Sequence, residues 1–194
     1  MKLISDNYIE LLKDLHKSRK GFGLGLSKME NKMEKLITGV LNEEHIRLLE
    51  KSKRFLDYGC GKGRIVMYVK DTQPNTEVVG YDPGMEEYKT LPEGKFDFVW
   101  CTDVLEHIEP DLIENVLNHI NELSSDYLYL CVNCSKAKKT LRDGRNAHLI
   151  IKPKEWWREH FVKMGNILKE EIRISKWGKQ KEFESINYFV LLKK

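Results

Sequence analysis

The chain has 194 residues, 41% hydrophobic, 32% charged and 10% aromatic; a chain of this size buries about 70% of its unfolded surface, which fits one globular domain and argues against two large ones. Its 33 Lys and Arg against 30 Asp and Glu leave a net charge of only +3, so a dense basic field for duplex nucleic acid is excluded, although a nucleic-acid substrate held locally is not. No apolar run reaches the ~20 residues that span a bilayer, and the opening MKLISDNYIELLKD lacks a signal-peptide core, so a soluble cytoplasmic protein without membrane contact is expected.

In chain order, Tyr8, Leu11, Leu12 and Leu15 recur at helical spacing, and the segment from about Ser27 to Lys51, carrying Met33, Leu36, Ile37 and Val40, predicts more helix. Between them the glycine run Gly21 to Gly25 follows a helix instead of a strand, so it reads as a mobile joint or lid and not as a nucleotide loop. Arg54–Tyr58, Glu77–Tyr81, Phe96–Cys101 and Tyr127–Asn133 are apolar, aromatic or β-branched, as strands covered on both faces should be. Ile113, Val116, Leu117, Ile120 and Leu123 make one apolar helical stripe, with Pro110 and Asp111 in its first turn. A further helix is predicted for Pro153 to Met164, and Glu171–Trp177 with Ser185–Leu192 reads as an antiparallel strand pair. This alternation predicts a doubly wound, mostly parallel α/β sheet with an antiparallel C-terminal strand pair and a helical N-terminal extension. Residues 1–51 are read as a helical cover and 52–194 as the core of one domain.

Four cysteines, Cys60, Cys101, Cys131 and Cys134, are too few and too irregularly placed for a disulfide framework, and they read as reduced thiols. The Cys131–Cys134 pair has no second pair of cysteines or histidines to complete a zinc site.

In such sheets ligands bind beyond the carboxyl ends of the strands. There the first strand runs into Leu56-Asp57-Tyr58-Gly59-Cys60-Gly61-Lys62-Gly63, and Asp82 ends the next strand. An acid about 20 residues beyond a glycine loop is placed to accept hydrogen bonds from both ribose hydroxyls of an adenosine. A dinucleotide fingerprint puts its third glycine three residues after the second; here Gly63 follows Gly61 by two. LDYGCGKG instead resembles motif I of the class I methyltransferases, which implies a Rossmann-like fold and S-adenosylmethionine, a cation that suits Asp57 better than a pyrophosphate would. FDFVWCTDVLEHIEP, Phe96 to Pro110, is similar to the fourth strand and following segment of many of them. With YIELLKDLH, YDP and DGRNAHLIIKPKEWW, these stretches resemble small bacteriophage and bacterial methyltransferases, a group that implies no particular acceptor. The resemblance assigns cofactor binding to Asp57, Gly59, Cys60, Gly61, Gly63, Asp82 and Pro83, with Cys101 and Thr102 near the reacting methyl.

Only thirteen residues, 83–95, separate Asp82 from Phe96, so the usual third strand unit is expected to be shortened or missing. The usual acid for the adenine amino group goes with it, and Pro83, Met85 and Tyr88 become candidates to hold adenine. That edge could admit a partner subunit or a bulky substrate.

For chemistry, Asp103, His107 and His148 are the candidates, since methyl transfer needs positioning and, for a protonated acceptor, a base. Asp143 to His148 forms a polar stretch in which Arg145 could orient a carboxylate. Glu106, His107 and His148 resemble in part the metal arrangement of small-RNA 2′-O-methyltransferases, but Glu109 stands where that spacing calls for a histidine, and no metal is assigned. Trp156 and Trp157 read either as ordinary packing for both or as one core residue and one stacking surface beside the pocket, and Lys136, Lys138, Lys139 and Arg142 form a local basic run. The expected function is methyl transfer from S-adenosylmethionine to a small polar metabolite or nucleotide-type acceptor. An RNA or DNA methyltransferase and a non-catalytic cofactor-binding or interaction protein are the alternatives.

Overall fold

The computed structural model describes residues 1–18, 43–177 and 183–194. The glycine run at 21–25, the helix expected from 27 as far as residue 42, and the connection 178–182 lie outside the described residues.

Helix α1 (Asp6–Ser18) opens on Ser5, whose Oγ accepts the Tyr8 amide at 3.2 Å and so satisfies one of the orphan donors of the first turn. Ser5 also donates its amide and its hydroxyl to the two carboxylate oxygens of Glu109, at 2.8 and 2.7 Å. Tyr8, Leu11 and Leu15 pack on Leu141 and Ala147, so the cover is seated on the loop that follows the fourth strand.

Helix α2 (Glu43–Lys51) leads to β1 (Arg54–Tyr58), α3 (Arg64–Thr72), β2 (Glu77–Tyr81), β3 (Phe96–Thr102), α4 (Ile113–Leu123), β4 (Ser124–Asn133), α5 (Lys154–Phe161), β5 (Asn166–Trp177) and β6 (Phe183–Lys193). They form one sheet in the order β2-β1-β3-β4-β6-β5. The first four strands are parallel, and β6 runs antiparallel to β4 and to β5. The expected α/β architecture with its antiparallel pair is therefore observed.

Strand alternation divides the core. Leu56, Val99, Cys101 and Leu130 face α4, Trp157 and Phe161, while Phe55, Phe98, Trp100 and Tyr129 face Leu49 of α2 and Val66 and Val69 of α3. Strand β4 begins earlier than the sequence indicates because it follows α4 without a loop, its first turn held by Ser125 Oγ donating to the Phe96 carbonyl at 3.0 Å. Strand β5 also starts early, at Asn166; it is an edge strand open to solvent, and its polar first residues carry no apolar signature.

Residues 83–95 contain no strand or helix. The Asp82 amide donates to the Tyr88 carbonyl at 2.8 Å, closing a pair of turns, and β2 is left as a sheet edge.

Candidate functional site

A cavity of about 640 Å³ opens beyond the carboxyl ends of the parallel strands, within the size range of small-molecule sites. Its walls are the glycine loop, the segments after β3 and β4, and the N-terminal cover, through Leu3, Ile4, Tyr8 and Leu12.

Gly59 has φ +79°, and a Cβ there would lie 2.2 Å from a methyl carbon of Val104, so only glycine lets the loop after β1 pass beneath that side chain. The Gly59 and Cys60 amides donate to the Tyr81 carbonyl at 2.6 and 3.0 Å, tying the loop to the end of β2. Asp82 adds a brace: Oδ2 accepts the Gly61 amide and Oδ1 the Gly84 amide, both at 2.9 Å. A carboxylate has about four lone-pair sites, so this bracing still leaves capacity toward the cavity.

Asp57, at the end of β1, is 4% exposed and lines the same cavity. Burial, with the negative Asp82 nearby, pushes its carboxyl pKa up to about 8. A buried acid on which no neighbouring cation acts among the described residues fits a cationic ligand. Arg64, first residue of α3, lines the wall too, and its Nε is buried without a hydrogen-bond partner among the described residues.

Of the cofactor candidates, Asp57, Gly59, Cys60, Gly61, Asp82, Pro83 and Thr102 line the cavity. Gly63 does not: it caps α3 at φ +72° and lies under Tyr88, whose hydroxyl occupies the space a Cβ would need. Cys101 is fully buried in the core on the α4 side and forms no part of the wall. Met85 and Tyr88 are also outside the lining, which leaves Pro83 alone of the three adenine candidates.

The opposite wall carries Asp103, His107 and His148. Asp103 has φ +56°, the only positive φ at a non-glycine position among the described residues, and its amide donates to the Cys131 carbonyl at 3.1 Å. Strain at such a residue persists where the surrounding structure holds it. Protein crowding raises its carboxyl above the usual range, opposed by His148, although the side chain opens to the cavity. His107 donates Nδ1–H to the Ala147 carbonyl at 2.7 Å, and His148 donates Nδ1–H to the Ser135 carbonyl at 2.5 Å. Burial lowers the His148 pKa, opposed by that carbonyl and by Asp103. Behind the histidines lies Glu106, wholly buried, its Oε1 accepting the Asn133 amide at 2.9 Å. Burial and Asp103 hold the Glu106 carboxyl well above the usual range.

Asn146 shapes this wall by pairing with both the amide and the carbonyl of Ala137, at 3.0 and 2.9 Å, and by accepting the His148 amide at 3.0 Å. Arg145, by contrast, closes an exposed turn on Asp143 at 2.7 Å and lies outside the lining. Neither tryptophan reaches the cavity: Trp157 is fully buried, and Trp156 packs against His160 with ring centroids 4.1 Å apart. Sequence reasoning missed Tyr8, Arg64 and Asn133 as wall residues. Only the strand–loop–helix position of Arg64, one residue past the glycines, offered a signal.

Fold and cavity together are those of a Rossmann-like methyltransferase. Residues 27–167 match a family described as a methyltransferase domain, and the chain belongs to that family. A comparison with curated protein sequences found no match. Among solved structures, the chain is similar over 100% of its length to 82% of a coclaurine N-methyltransferase bound to N-methylheliamine and S-adenosylhomocysteine, at 14% identity and a TM-score of 0.62. It is similar over 100% of its length to 92% of the Burkholderia thailandensis 1,6-didemethyltoxoflavin-N1-methyltransferase, at 15% identity and 0.63. The magnesium protoporphyrin IX methyltransferase of Synechocystis PCC 6803, with bound S-adenosylmethionine, aligns over 98% of this chain and 99% of its own, at 15% and 0.59. The protein is an S-adenosylmethionine-dependent methyltransferase. No helix among its described residues is long and apolar enough to cross a membrane.

Proposed function

We propose that the methyl acceptor is a small polar metabolite or nucleotide-type molecule, held against the wall formed by Asp103, His107, His148 and Asn133 while the cofactor lies along the glycine loop. The observation that carries this reading is a single cavity in which buried Asp57 and loop-bracing Asp82 stand across from that ionisable wall. Bound S-adenosylmethionine supplies an electrophilic methyl on a sulfonium. Asp57 offsets the cofactor's positive charge, Asp82 accepts the ribose hydroxyls, Gly59, Cys60 and Gly61 let the backbone approach, and Pro83 and Thr102 complete the contact. Tyr8 and Leu12 of the cover exclude water from above, so the chain acts as one domain with residues 1–51 as its cover. Asp103, His107 and His148 orient the acceptor and take its proton.

The three similar structures named above carry small-molecule names, which supports an acceptor of that class. Lys136, Lys138 and Lys139 at the cavity favour a phosphate-bearing, nucleotide-type member of it. The chain fits the small bacteriophage and bacterial methyltransferases that its motifs resemble, working in the cytoplasm. The test is transfer of labelled methyl from S-adenosylmethionine into size-fractionated cell extract. Label in the small-molecule fraction is expected. Label confined to RNA or DNA, with steep salt dependence, would establish the nucleic-acid alternative, and no label in any fraction from folded, cofactor-binding protein would make it a non-catalytic binder.

A further inference from the structure

We propose that the end of the cavity between β4 and β6 is an oxyanion subsite, in which Asn187, Ser185 and Lys136 hold a phosphate or carboxylate group carried by the methyl acceptor. The proposal deepens the reading above and rests on it for what fills the cavity; the donor set itself rests on hydrogen-bond geometry.

A chain of hydrogen bonds fixes which way each group points. The Ser135 amide can only donate, and it meets Asn133 Oδ1 at 2.9 Å, so Nδ2 is the group that Asn133 turns toward β6. Nδ2 in turn can only donate, and it does so to Ser185 Oγ at 2.7 Å and to Asn187 Oδ1 at 3.0 Å. With Oδ1 held by Asn133, Asn187 has Nδ2 and its two hydrogens to offer a ligand, and Ser185, accepting from Asn133, has its own hydroxyl hydrogen. Both residues line the cavity. One backbone amide thus sets two side chains as donors.

Charge and position agree with the donors. β6 runs antiparallel to β4, so its first residues lie at the carboxyl end of the parallel strands, where Asn187 is paired with Asn133. Just beyond, the Ser135 hydroxyl accepts the Ile186 amide at 3.0 Å, which keeps Lys136 beside the start of β6. Lys136 lines the cavity together with Lys138 and Lys139, and Glu184, the acid at this end of the lining, has its carboxylate 3.5 Å from Lys176. Two neutral donors beside an ammonium suit an oxygen anion, because hydrogen bonds to a charged acceptor are about twice as strong as neutral ones. β6 is three strands from β1 in the sheet, about 14 Å at the usual spacing of ~4.8 Å, which sets these donors apart from the glycine loop and its cofactor. The Ser135 carbonyl also accepts His148 Nδ1, so one residue anchors both the subsite and a histidine that orients the acceptor.

The test uses the full chain, isotope-labelled for NMR and saturated with S-adenosylhomocysteine, titrated at neutral pH with inorganic phosphate and separately with acetate. At least one of the two should shift the Asn187 side-chain amide resonances, identified by their absence in Asn187→Asp, and the tighter binder names the anion. Asn187→Asp keeps the oxygen that Asn133 holds and puts a negative charge in place of Nδ2. That variant and Lys136→Met, read on the Ser185 backbone amide, should each bind the anion at least tenfold more weakly while retaining a cooperative thermal transition and their affinity for S-adenosylhomocysteine. No shift with either anion, or an unchanged midpoint in both folded variants, overturns the subsite. The extract assay above separates the two readings. A labelled small molecule retained by an anion-exchange resin supports the subsite, and an unretained one removes the subsite while leaving the small-molecule acceptor. Label confined to nucleic acid overturns the small-molecule reading itself.

Discussion

Replacing Asp82 by Ala should damage stability and cofactor binding together, because one side chain serves both. In the folded protein its two oxygens accept the Gly61 and Gly84 amides at 2.9 Å, and the residue is 7% exposed. Hydrogen bonds to a charged acceptor contribute about 1.5–3 kcal/mol each, so losing two removes about 3–6 kcal/mol. Part returns because the two amides border a cavity that water can enter, and because Asp57 loses a negative neighbour. A net loss of about 2–4 kcal/mol corresponds to a Tm lower by about 4–16 °C in a chain of this size. The ribose hydroxyls lose a charged acceptor as well, so S-adenosylhomocysteine should bind about a hundredfold more weakly. Differential scanning calorimetry and titration calorimetry read the two effects separately. Asp82→Asn, which keeps one acceptor and turns a donor toward the other amide, should fall between wild type and Ala. A Tm within about 1 °C of wild type would refute the bracing argument. A lowered Tm with unchanged affinity would refute the ribose role and leave the brace.

The raised pKa of Asp57, about 8 in the free protein, implies that S-adenosylmethionine binding at pH 7 releases close to one proton, as the carboxyl ionises against the incoming cation. Titration in buffers of different ionisation enthalpy measures this, and release that persists in Asp57→Asn would refute it. For folding the sign follows from the raised value: the native carboxyl stays protonated where the unfolded one ionises. Stability from this group is therefore greatest at low pH and falls between about pH 4 and pH 8, a slope absent from Asp57→Asn. Gly59→Ala combines left-handed backbone with a Cβ 2.2 Å from Val104. It should cost about 2–5 kcal/mol in denaturant unfolding, and a cost below about 0.5 kcal/mol would contradict the close approach. Tyr8 has a buried hydroxyl without a hydrogen-bond partner among the described residues, so Tyr8→Phe should leave the Tm unchanged or raise it, whereas Ser5→Ala should lose about 1 kcal/mol with the helix cap and its link to Glu109.

The limits of the sequence reading show in particular residues. β1 and β2 match their expected ends because each is a short apolar run bounded by charged or turn-forming residues. Cys101 was placed beside the reacting methyl because it ends β3, yet both faces of that strand are covered, and alternation carries its side chain into the α4 side of the core. Adjacent tryptophans on one helix had to diverge, but only packing assigns Trp157 to the core and Trp156 to His160. Arg145 had a suitable partner two residues away in Asp143, and the local pairing at an exposed turn prevailed.

Length and a charge of +3 bounded the protein to one medium domain with no general hold on polyanions. Local order then determined the α/β alternation, the glycine loop and the two acids, since a turn with positive φ and an apolar strand depend mainly on neighbouring residues. The wall of ionisable side chains depends instead on contacts between segments far apart in sequence: Ser5 with Glu109, Glu106 with Asn133, His107 with Ala147 and His148 with Ser135. Only the packed sheet brings those segments within hydrogen-bond distance, because side-chain reach is a few ångströms and the register of distant elements is set by the core as a whole. The tertiary structure thus decided which ionisable groups line the cavity opposite the glycine loop, while the sequence alone had already pointed to the cofactor.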